Sequence, residues 1–433
     1  MSEAESRAPV ELMRASFDAA VAAADPSRIV AAHLPQNSPG SVTVVGAGKA
    51  AASMALAVEQ AWPERKLNGL VITRYAHGAP TNSIRVVEAG HPVPDDAGEA
   101  AAHDIMKLVS SLQRGDLLLA LMSGGGSSLL SLPVPEVSMA SLKSVTRMLL
   151  ASGAPIGEMN IVRKHLSQIA GGQLALAATK RGARVLALMI SDVTGDAPTD
   201  IASGPCAADP STYADAIAVL SRWNVKAPDD VSAWLRRGSN GEVGETPKPG
   251  DPLLSQVENR VIATAHQSLA AAAEVFRSRG IQAVLLGDTV TGEAREVAKV
   301  YAALVRETRK YGSPFKPPVA LISGGECTVT LPPGSSGRGG RCTEFLLSLA
   351  VELNDMPGVY ALACDTDGID GTEGNAGAWL APGLVKRAAA RGVPARGALD
   401  QRDSYGFFDA AGSLIVTGPT RTNVNDYRVI LIQ

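Results

Sequence analysis

Short aliphatic runs alternate along this chain with longer stretches whose apolar residues recur at helical spacing. Strands are predicted where an aliphatic run is bounded by turn residues, and helices where the apolar spacing is three or four residues. The predicted strands are 41–45, 69–73, 84–88, 117–122, 184–191, 260–264, 282–287, 319–323 and 359–364. The predicted helices lie at 49 onward, 95–112, 138–180, 266 onward, 292–310 and 341–353. This alternation is typical of an α/β fold with a doubly wound parallel sheet.

A segment rich in glycine and proline interrupts the alternation at residues 238–254. Such composition favours a linker over a helix or strand, so we predict a domain boundary here. The predicted domains are 1–245, which holds the glycine loops, and 252–433, where the strand–helix alternation restarts. The length of 433 residues is enough for two domains that each bury a core.

Charge and cysteine usage narrow the class of protein. The chain has 40 Lys and Arg against 43 Asp and Glu and no basic block, which argues against nucleic acid as a partner. No apolar run approaches the length of a membrane span, and the polar start MSEAESRAPV does not have a signal-peptide pattern. The four cysteines form no C-x-x-C pair, which is typical of the cytoplasm and gives no structural zinc site.

Three consecutive glycines follow the predicted strand 117–122, in the run LMSGGGSSLL at 121–130. Glycine costs stability inside an element, so this run indicates a tight turn or a close backbone approach to a ligand. The run lacks the Gly-Lys-Ser/Thr ending of a P-loop. We predict that its backbone N–H groups and hydroxyls bind phosphate oxygens, with the binding residues Ser123, Gly124, Gly125, Gly126, Ser127 and Ser128.

A second glycine pattern, VVGAGKAAASMA at 44–55, is similar to the G-x-G-x-x-A fingerprint of dinucleotide sites. Gly46 and Gly48 are predicted to present backbone N–H groups to an anion. The second strand ends in Thr73-Arg74-Tyr75, without the carboxylate that would bind the ribose of NAD. An NADP site could accept Arg74, so a dehydrogenase function stays open at this point.

Two cations stand at predicted helix starts that follow glycine. Lys49 and Arg341 occupy positions that the helix dipole makes unfavourable for positive charge, unless an anion binds at the same terminus. Both could equally be solvated surface residues. If they act on a bound anion, replacing either with alanine is expected to lower turnover while the fold and its melting temperature persist.

Acidic runs follow two predicted strands, SDVTGDAPTD at 191–200 and DTDGIDG at 365–371. Asp and Gly are common in ordinary turns, which is one reading of both runs. The carboxyl ends of parallel strands are also where open α/β sheets bind ligands, and magnesium on nucleotide phosphates needs only one or two carboxylates. Together with the glycine loop and the two cations, these residues favour phosphoryl transfer over hydrolysis.

Several long motifs resemble one family. VGAGKAA, GHPVPD, SGGGSSLL, MNIVRKHLSQIAGGQLA, SDVTGDAPTDIASGP, DTDGIDG and TGPTRTNVND occur in the order found in the glycerate 2-kinase family, whose C-terminal half is called the MOFRL domain. The resemblance implies ATP- and Mg²⁺-dependent phosphorylation of D-glycerate to 2-phosphoglycerate. It also implies a Rossmann-like N-terminal domain, a mixed-sheet C-terminal domain and an active cleft between them. Many relatives are labelled hydroxypyruvate reductase, so an NAD(P)H-dependent reductase is the alternative.

The resemblance also assigns roles to residues. The catalytic lysine and arginine of the family fall on Lys49 and Arg341. Asp192 is predicted as a magnesium ligand or as the base for the acceptor hydroxyl, and Asp365 and Asp367 as further magnesium ligands. The predicted substrate contacts are His91, Glu344 and Asn425, although His91 could equally be a histidine packed in a proline-bounded loop. A homodimer is compatible with the sequence.

Three positions depart from the pattern of the family. Cys342 and Thr343 stand where the family usually has Asn-Gln, and Arg421 stands where it usually has Gly. Losing an amide pair and gaining a cation could shift the acceptor from D-glycerate to a related short hydroxy acid.

Overall fold

The computed structural model describes residues 3–36, 40–332, 334 and 336–433. The strands are β1 Val42–Ala47, β2 Leu67–Arg74, β3 Ile84–Ala89, β4 Leu117–Met122, β5 Arg184–Ile190, β6 Val257–Ala263, β7 Gln282–Gly287, β8 Gly292–Glu293, β9 Val319–Ser323, β10 Cys327–Thr328, β11 Val359–Asp365, β12 Gly377–Leu380, β13 Leu414–Ile415 and β14 Asp426–Ile432. The helices are α1 Glu3–Ala23, α2 Pro26–Ile29, α3 Ala51–Ala61, α4 Asp96–Ser110, α5 Gly126–Leu129, α6 Met139–Ala151, α7 Ile156–His165, α8 Gln173–Thr179, α9 Tyr213–Arg222, α10 Asp229–Ser239, α11 Ala265–Arg277, α12 Ala294–Tyr311, α13 Arg341–Leu353, α14 Leu384–Ala390, α15 Ala395–Asp400 and α16 Ser404–Ala411. Short 3₁₀ turns lie at Val30–His33, Ile201–Ser203 and Pro252–Leu254.

The chain divides into two compact units. The first unit is Pro26–Ile262, and the second unit combines the residues up to Asp25 with Ala263–Gln433. The boundaries therefore differ from the predicted domains, 1–245 and 252–433, at both ends of the first unit.

The first unit is built on a six-stranded sheet with the order β3-β2-β1-β4-β5-β6. The neighbours from β3 through β5 pair in parallel. The strand order reverses direction between β1 and β4, which makes their carboxyl ends the topological switch point where such sheets bind ligands. Both strands are buried along their whole length, as their aliphatic sequences require. The predicted α/β class with a Rossmann-like N-terminal part is confirmed.

The helical stretch predicted at 138–180 consists of three helices, α6, α7 and α8. Gly153 has φ 80°, and Pro155 precedes α7, so the chain turns between α6 and α7. Gly171 and Gly172 have φ 60° and 84° and separate α7 from α8. The prediction missed these breaks because the apolar spacing continues across them.

The segment interpreted as a linker, 238–254, is fastened to the first unit. The buried Thr246 donates its hydroxyl to Asp209 at 3.0 Å, and the backbone N–H of Asp209 donates to the carbonyl of Pro247 at 2.9 Å. Strand β6 follows this segment and joins the first sheet. The strand predicted at 260–264 therefore completes the first sheet and does not open the second, since its sequence carries no information about which sheet it joins.

The second unit has a mixed sheet with the order β13-β12-β11-β14-β9-β7. The strands from β13 to β9 pair antiparallel, and β7 pairs parallel with β9. A small parallel pair, β8 with β10, lies apart from this sheet. The predicted mixed sheet of the C-terminal part is thus confirmed.

Helix α1 packs in the core of the second unit, although the sequence analysis assigned residues 1–245 to the N-terminal domain. Met13 and Phe17 are buried in one cluster with Phe276 of α11 and Tyr427 of β14. The hydroxyls of Ser16 and Tyr427 form a hydrogen bond, and the rings of Phe17 and Tyr427 lie 5.8 Å apart. An amphipathic helix shows which of its faces is buried, but its sequence does not identify the surface that covers this face.

Within the described residues, no helix combines the length and apolarity needed to cross a membrane. The four cysteines are buried as free thiols.

Replacing Phe17 with alanine should loosen the second unit. Removing a fully buried aromatic side chain costs about 3–5 kcal/mol, and the ring fills the contact between α1 and the sheet. We expect faster hydrogen exchange in α11, β11 and β14, with the protection of β1 to β5 unchanged. Arg14→Ala, an exposed change on the same helix, is the control. Loss of protection in β1 to β5 alone would contradict the assignment of α1 to the second unit.

Candidate active site

The turn after β1 is hydrogen-bonded to the loop after β4 at the switch point of the first unit. The N–H of Ser123 donates to the carbonyl of Ala47 at 3.1 Å, and the N–H of Lys49 donates to the carbonyl of Gly124 at 2.9 Å. The N–H of Ala50 donates to the hydroxyl oxygen of Ser123 at 3.0 Å, and Ser123 is fully buried. The hydroxyl predicted to bind phosphate therefore holds these two segments together.

Gly46 and Gly48 allow β1 and β4 to approach this closely. A Cβ on Gly46 would lie 2.3 Å from the carbonyl oxygen of Leu121, and one on Gly48 would lie 2.2 Å from the hydroxyl of Ser123. Gly48 also has φ 132°, which side chains rarely adopt. Close packing accounts for both glycines, and their predicted contact with phosphate stays a prediction.

The Ser-Gly loop ends at α5, with Gly125 at φ 78° as the residue before the helix. The N–H of Gly126 donates to the carbonyl of Ser123 at 3.1 Å, and the hydroxyl of Ser128 donates to the carbonyl of Gly125 at 3.1 Å. Within the described chain, no hydrogen bond from the N–H of Gly124 or Gly125 is present. These two amides are the donors that the loop can offer to an anion.

Lys49 and His91 lie against Gly125. A Cβ on Gly125 would lie 2.8 Å from Nε2 of His91 and 3.6 Å from Cγ of Lys49. Helix α3 begins at Ala51, so Lys49 precedes the helix and does not lie on its first turn as predicted. The hydrogen bond from its own N–H to the neighbouring loop keeps it in the turn. The structure thus brings together the predicted lysine, histidine and glycine loop.

The surroundings of His91 are electropositive. Burial lowers the pKa of His91, and the charges of Lys49 and Arg74 and the ring of His77 lower it further, to about 4. The imidazole is therefore neutral at neutral pH and can exchange hydrogen bonds without adding charge. A neutral histidine held beside a lysine and an arginine is an environment that suits an anionic ligand.

A chain of hydrogen-bonded side chains begins at Ser127, near the C-terminal end of the Ser-Gly loop. The hydroxyls of Ser127 and Ser203 lie 2.8 Å apart, and Ser203 donates to Oδ1 of Asn160 at 3.1 Å. Nη2 of Arg163 donates to the carbonyl of Ser127 at 2.8 Å. The sequence analysis missed Ser203, Asn160 and Arg163. Their only signal was membership of two long motifs, MNIVRKH and DIASGP, which match no motif of known chemistry.

Asp192 follows β5 and is partly exposed. Its predicted roles, as a magnesium ligand or as a base, stay predictions. The loop that follows is unusual, because Asp196, Ala202 and Ser203 have positive φ values of 53°, 52° and 61°. Ser203, which ends this segment, has its hydroxyl 2.8 Å from that of Ser127.

Arg341, in the second unit, is surrounded by carboxylates. Its Nε donates to Asp426 at 2.7 Å, its Nη1 to Glu326 at 2.7 Å and its Nη2 to Asp365 at 2.8 Å. Burial alone would lower the pKa of Arg341, but the charges of Asp426, Asp365 and Glu326 raise it well above its ordinary value. The other oxygen of Asp426 accepts from the buried Arg428. Arg341 is therefore part of a buried charge network and not a solvated residue at a helix start.

This network corrects one expectation about stability. Removing one partner of a buried ion pair typically costs about 3–5 kcal/mol, because the remaining charge is left unpaired. Asp426 is fully buried and Asp365 nearly so. Arg341→Ala should therefore destabilise the second unit, contrary to the expectation that this variant keeps the native melting temperature.

The departures Cys342 and Thr343 lie at the start of α13. Asp370 accepts hydrogen bonds from the backbone N–H groups of Cys342 at 2.9 Å and Thr343 at 2.8 Å, and from the hydroxyl of Thr343 at 2.7 Å. Burial raises the pKa of Asp370 to about 6, although these hydrogen bonds lower it. Both departing side chains are fully buried. The hydroxyl of Thr343 thus helps to anchor the helix that begins with Arg341, whereas Cys342 contributes only its backbone N–H, and nothing in the structure explains its side chain. Arg421 lies in an exposed bend with φ 60°.

The predicted substrate contacts of the second unit have internal partners. The buried Glu344 accepts from Arg295 at 2.7 Å and from Arg402 at 2.7 Å. Asn425 has φ 65°, and its carbonyl accepts from the N–H and the hydroxyl of Thr366. The structure therefore gives both residues a role in the fold, and a contact with substrate stays a prediction.

The predicted magnesium ligands Asp365 and Asp367 also have partners. Oδ2 of Asp365 binds Arg341, and its Oδ1 accepts from the N–H of Asp367 at 3.0 Å. Oδ1 of Asp367 accepts from the N–H of Ile369 at 2.8 Å. No group of three or more His, Cys, Asp or Glu side chains among the described residues is arranged to hold a metal ion. The predicted role of Asp365 and Asp367 as magnesium ligands stays a prediction.

Comparison with known families gives two matches. Residues 12–236 match the domain of unknown function DUF4147, and residues 319–426 match the MOFRL family.

Comparison with individual proteins agrees with these families. A protein of Agrobacterium vitis, named provisionally as a hydroxypyruvate reductase, is 48% identical over 98% of this chain and 94% of its own length. Glycerate 2-kinase of Pyrococcus horikoshii is 37% identical over 91% of this chain and 88% of its own length. The crystal structure of glycerate kinase from Thermotoga maritima superposes with a TM-score of 0.86 at 36% identity, covering 100% of both chains.

The pKa of His91 predicts how stability depends on pH. Because its pKa is about 4 in the fold and 6.5 ordinarily, the unfolded chain binds the proton more tightly between these values. The contribution of His91 is complete above about pH 6.5 and is lost as the pH falls toward about 4. In His91→Asn, the free energy of unfolding should decline less over this range, by on the order of 2–3 kcal/mol.

Urea unfolding from about pH 7 to about pH 4.5 measures this difference. His103→Asn, at an exposed position on α4, is the matched control and should follow the wild type. If the free energy of unfolding depends on pH in the same way for the wild type and His91→Asn, then burial does not lower the pKa of His91 as described.

Proposed function

Because the chain belongs to the glycerate 2-kinase family, we propose that it transfers the γ-phosphoryl group of ATP to the 2-hydroxyl of D-glycerate. The product is 2-phosphoglycerate. One observation supports the proposal: at the switch point of the first sheet, the Ser-Gly loop offers two amides that donate no hydrogen bond within the described residues, beside Lys49 and the neutral His91. Donors and a cation that converge in this way suit phosphate groups.

The loop would hold phosphate oxygens of the nucleotide. The N–H groups of Gly124 and Gly125 would donate to these oxygens, and the missing side chain of Gly125 lets His91 and Lys49 lie against this part of the loop. Lys49 stands beside this loop and would neutralise charge that develops on the transferring phosphoryl group. In a P-loop the phosphate-binding lysine comes from the loop itself. Here Lys49, from the turn after β1, would take that role, so the Ser-Gly loop does not need the Gly-Lys-Ser/Thr ending.

Arg341 would act on the transferring phosphoryl group or on the carboxylate of D-glycerate. Each terminal nitrogen of a guanidinium carries two N–H bonds, so Nη1 and Nη2 each retain one beyond the contacts with Glu326 and Asp365. Glu326 is the most exposed of the three partners, at 54%. We propose that a substrate anion competes with Glu326, while Asp426 and Asp365 keep the guanidinium oriented.

Asp192 remains the proposed carboxylate of the first unit. A partly exposed carboxylate at the end of β5 could act as the base that accepts the proton of the acceptor hydroxyl. It could equally hold Mg²⁺, which when bound would neutralise charge on the nucleotide phosphates. Contacts of His91, Glu344 and Asn425 with D-glycerate are part of the same proposal. The four free thiols support a reducing location such as the cytoplasm.

A cofactor comparison tests the function against the reductase alternative. The chain should form ADP from ATP with D-glycerate and Mg²⁺, and should not oxidise NADPH in the presence of hydroxypyruvate. The physical reason is local: the amides of Lys49 and Ala50, which would face a pyrophosphate in a dinucleotide site, already donate to Gly124 and Ser123. Turnover of NADPH without formation of ADP would overturn the kinase proposal. A panel of short hydroxy acids would identify the acceptor.

Lys49→Ala should lower kcat by about 10²–10³, because one electrostatic stabiliser of the transition state is lost. The melting temperature should stay within a few degrees, since the change introduces no cavity in a core. Steady-state kinetics and thermal unfolding are the measurements, and Lys66→Ala, at an exposed position, is the matched control. Retention of more than about a third of the wild-type kcat would remove Lys49 from the catalytic machinery.

A further inference from the structure

Arg163 is a cation without a carboxylate partner. Within the described chain its guanidinium forms no ion pair, and its one hydrogen bond goes from Nη2 to the carbonyl of Ser127. By contrast, Arg341, Arg428 and Arg295 each bind an Asp or Glu carboxylate. Arg163 has no such counter-charge within the described chain.

The environment of Arg163 makes this costly. Burial lowers the pKa of Arg163 to about 10, and no neighbouring charge offsets this effect. The group stays charged at neutral pH, in a site where water solvates it poorly. Cations in such sites are usually paired, because an uncompensated charge costs several kcal/mol. A bound anion would supply the missing partner.

The pocket beside Arg163 offers one further donor, the hydroxyl of Ser167, and no acid. The hydroxyls of Ser127 and Ser203 also line it but already donate to Ser203 and Asn160, and the lining includes no Asp or Glu. The hydroxyl oxygen of Ser167 accepts the N–H groups of Ile169 and Ala170, so its O–H can point into the pocket. The pocket has a volume of about 20 Å³, which is room for one oxygen atom of a larger group.

We propose that this pocket, the Arg163 pocket, binds one oxygen of an anionic substrate group, either a phosphate or a carboxylate. The proposal rests on the proposed kinase function and extends it. The pocket shares Ser127 with the Ser-Gly loop, two residues from Gly125, so an anion here is held next to the amides of that loop. Five N–H donors in a planar fork suit both phosphate and carboxylate oxygens. In this role Arg163 would contribute to binding of the substrate before reaction and not to the chemical step.

Arg163→Met tests the proposal, because methionine fills the space without the charge. The affinity for the anionic substrate should fall about 10- to 100-fold, as expected for a lost charged hydrogen bond. KM should rise with little change in kcat, the pattern of an interaction made equally in the ground and transition states. The ligand-free variant should melt no lower than the wild type, since an unpaired charge has been removed. Arg147→Met, at an exposed position on α6, is the matched control.

Calorimetric titration with ADP, D-glycerate and orthophosphate separates the sources of the anion. A loss confined to ADP and orthophosphate assigns the pocket to a phosphate, and a loss confined to D-glycerate assigns it to the carboxylate. Affinities within about twofold of the wild type for all three probes would overturn the proposal, as would a wild type that binds none of them. These titrations need no turnover, so a failed kinase assay would count against the proposed function alone.

A second variant tests whether Arg163 has a structural role. If Arg163→Met lowers the melting temperature strongly, the arginine stabilises the contact between α7 and the loop. Arg163→Lys then decides, because it keeps a cation but loses the planar fork. Under the proposal, Arg163→Lys weakens the same probe several-fold in a stable protein. Unchanged binding of every probe by this variant would overturn the proposal.

Discussion

The hydrogen bonds between the turn after β1 and the loop after β4 fix the geometry of the candidate site. Ser123 contributes both its amide and its hydroxyl to this junction, and Gly124 contributes its carbonyl. The junction closes only because Gly48 has no side chain, since a Cβ there would overlap the hydroxyl of Ser123. Lys49 is the next residue, so its backbone is fixed from both sides and its side chain lies against Gly125. The position of the cation thus follows from backbone packing at the switch point.

Arg341 of the second unit and Arg163 of the first unit differ in the number of their carboxylate partners. In the second unit Arg341 meets three carboxylates, which hold it in one orientation and neutralise most of its field. In the first unit Arg163 has no carboxylate partner in the described chain. A balanced network keeps a group in place, whereas an unbalanced cation attracts an anion. The first unit is therefore the better candidate for binding substrate anions, and Arg341 can offer an anion only the N–H groups that its carboxylate partners leave.

The sequence predicted the ends of an element well where turn-forming residues mark them. Strand β4 begins and ends as predicted because Gly115-Asp116 and the Ser-Gly run bound its aliphatic residues. The breaks in 138–180 were missed, and so were the partners of α1 and β6, because amphipathic patterns do not identify the surface that an element covers. At the site, Lys49, His91 and Gly125 were predicted and lie together. The carboxylates around Arg341 come from three distant segments, at Glu326, Asp365 and Asp426, so no local pattern could reveal them.

The G-x-G pattern at 46–48 shows why a motif needs its structural context. In a dinucleotide site the glycines bring backbone amides to a pyrophosphate at the helix start. Here the same glycines bring β1 against β4, and the amides that follow are used within the protein. The donors that remain belong to the loop after β4, across the switch point from the motif. The candidate donors for an anion therefore lie in the loop after β4, the strand beside the one that carries the motif, and the motif alone does not locate them.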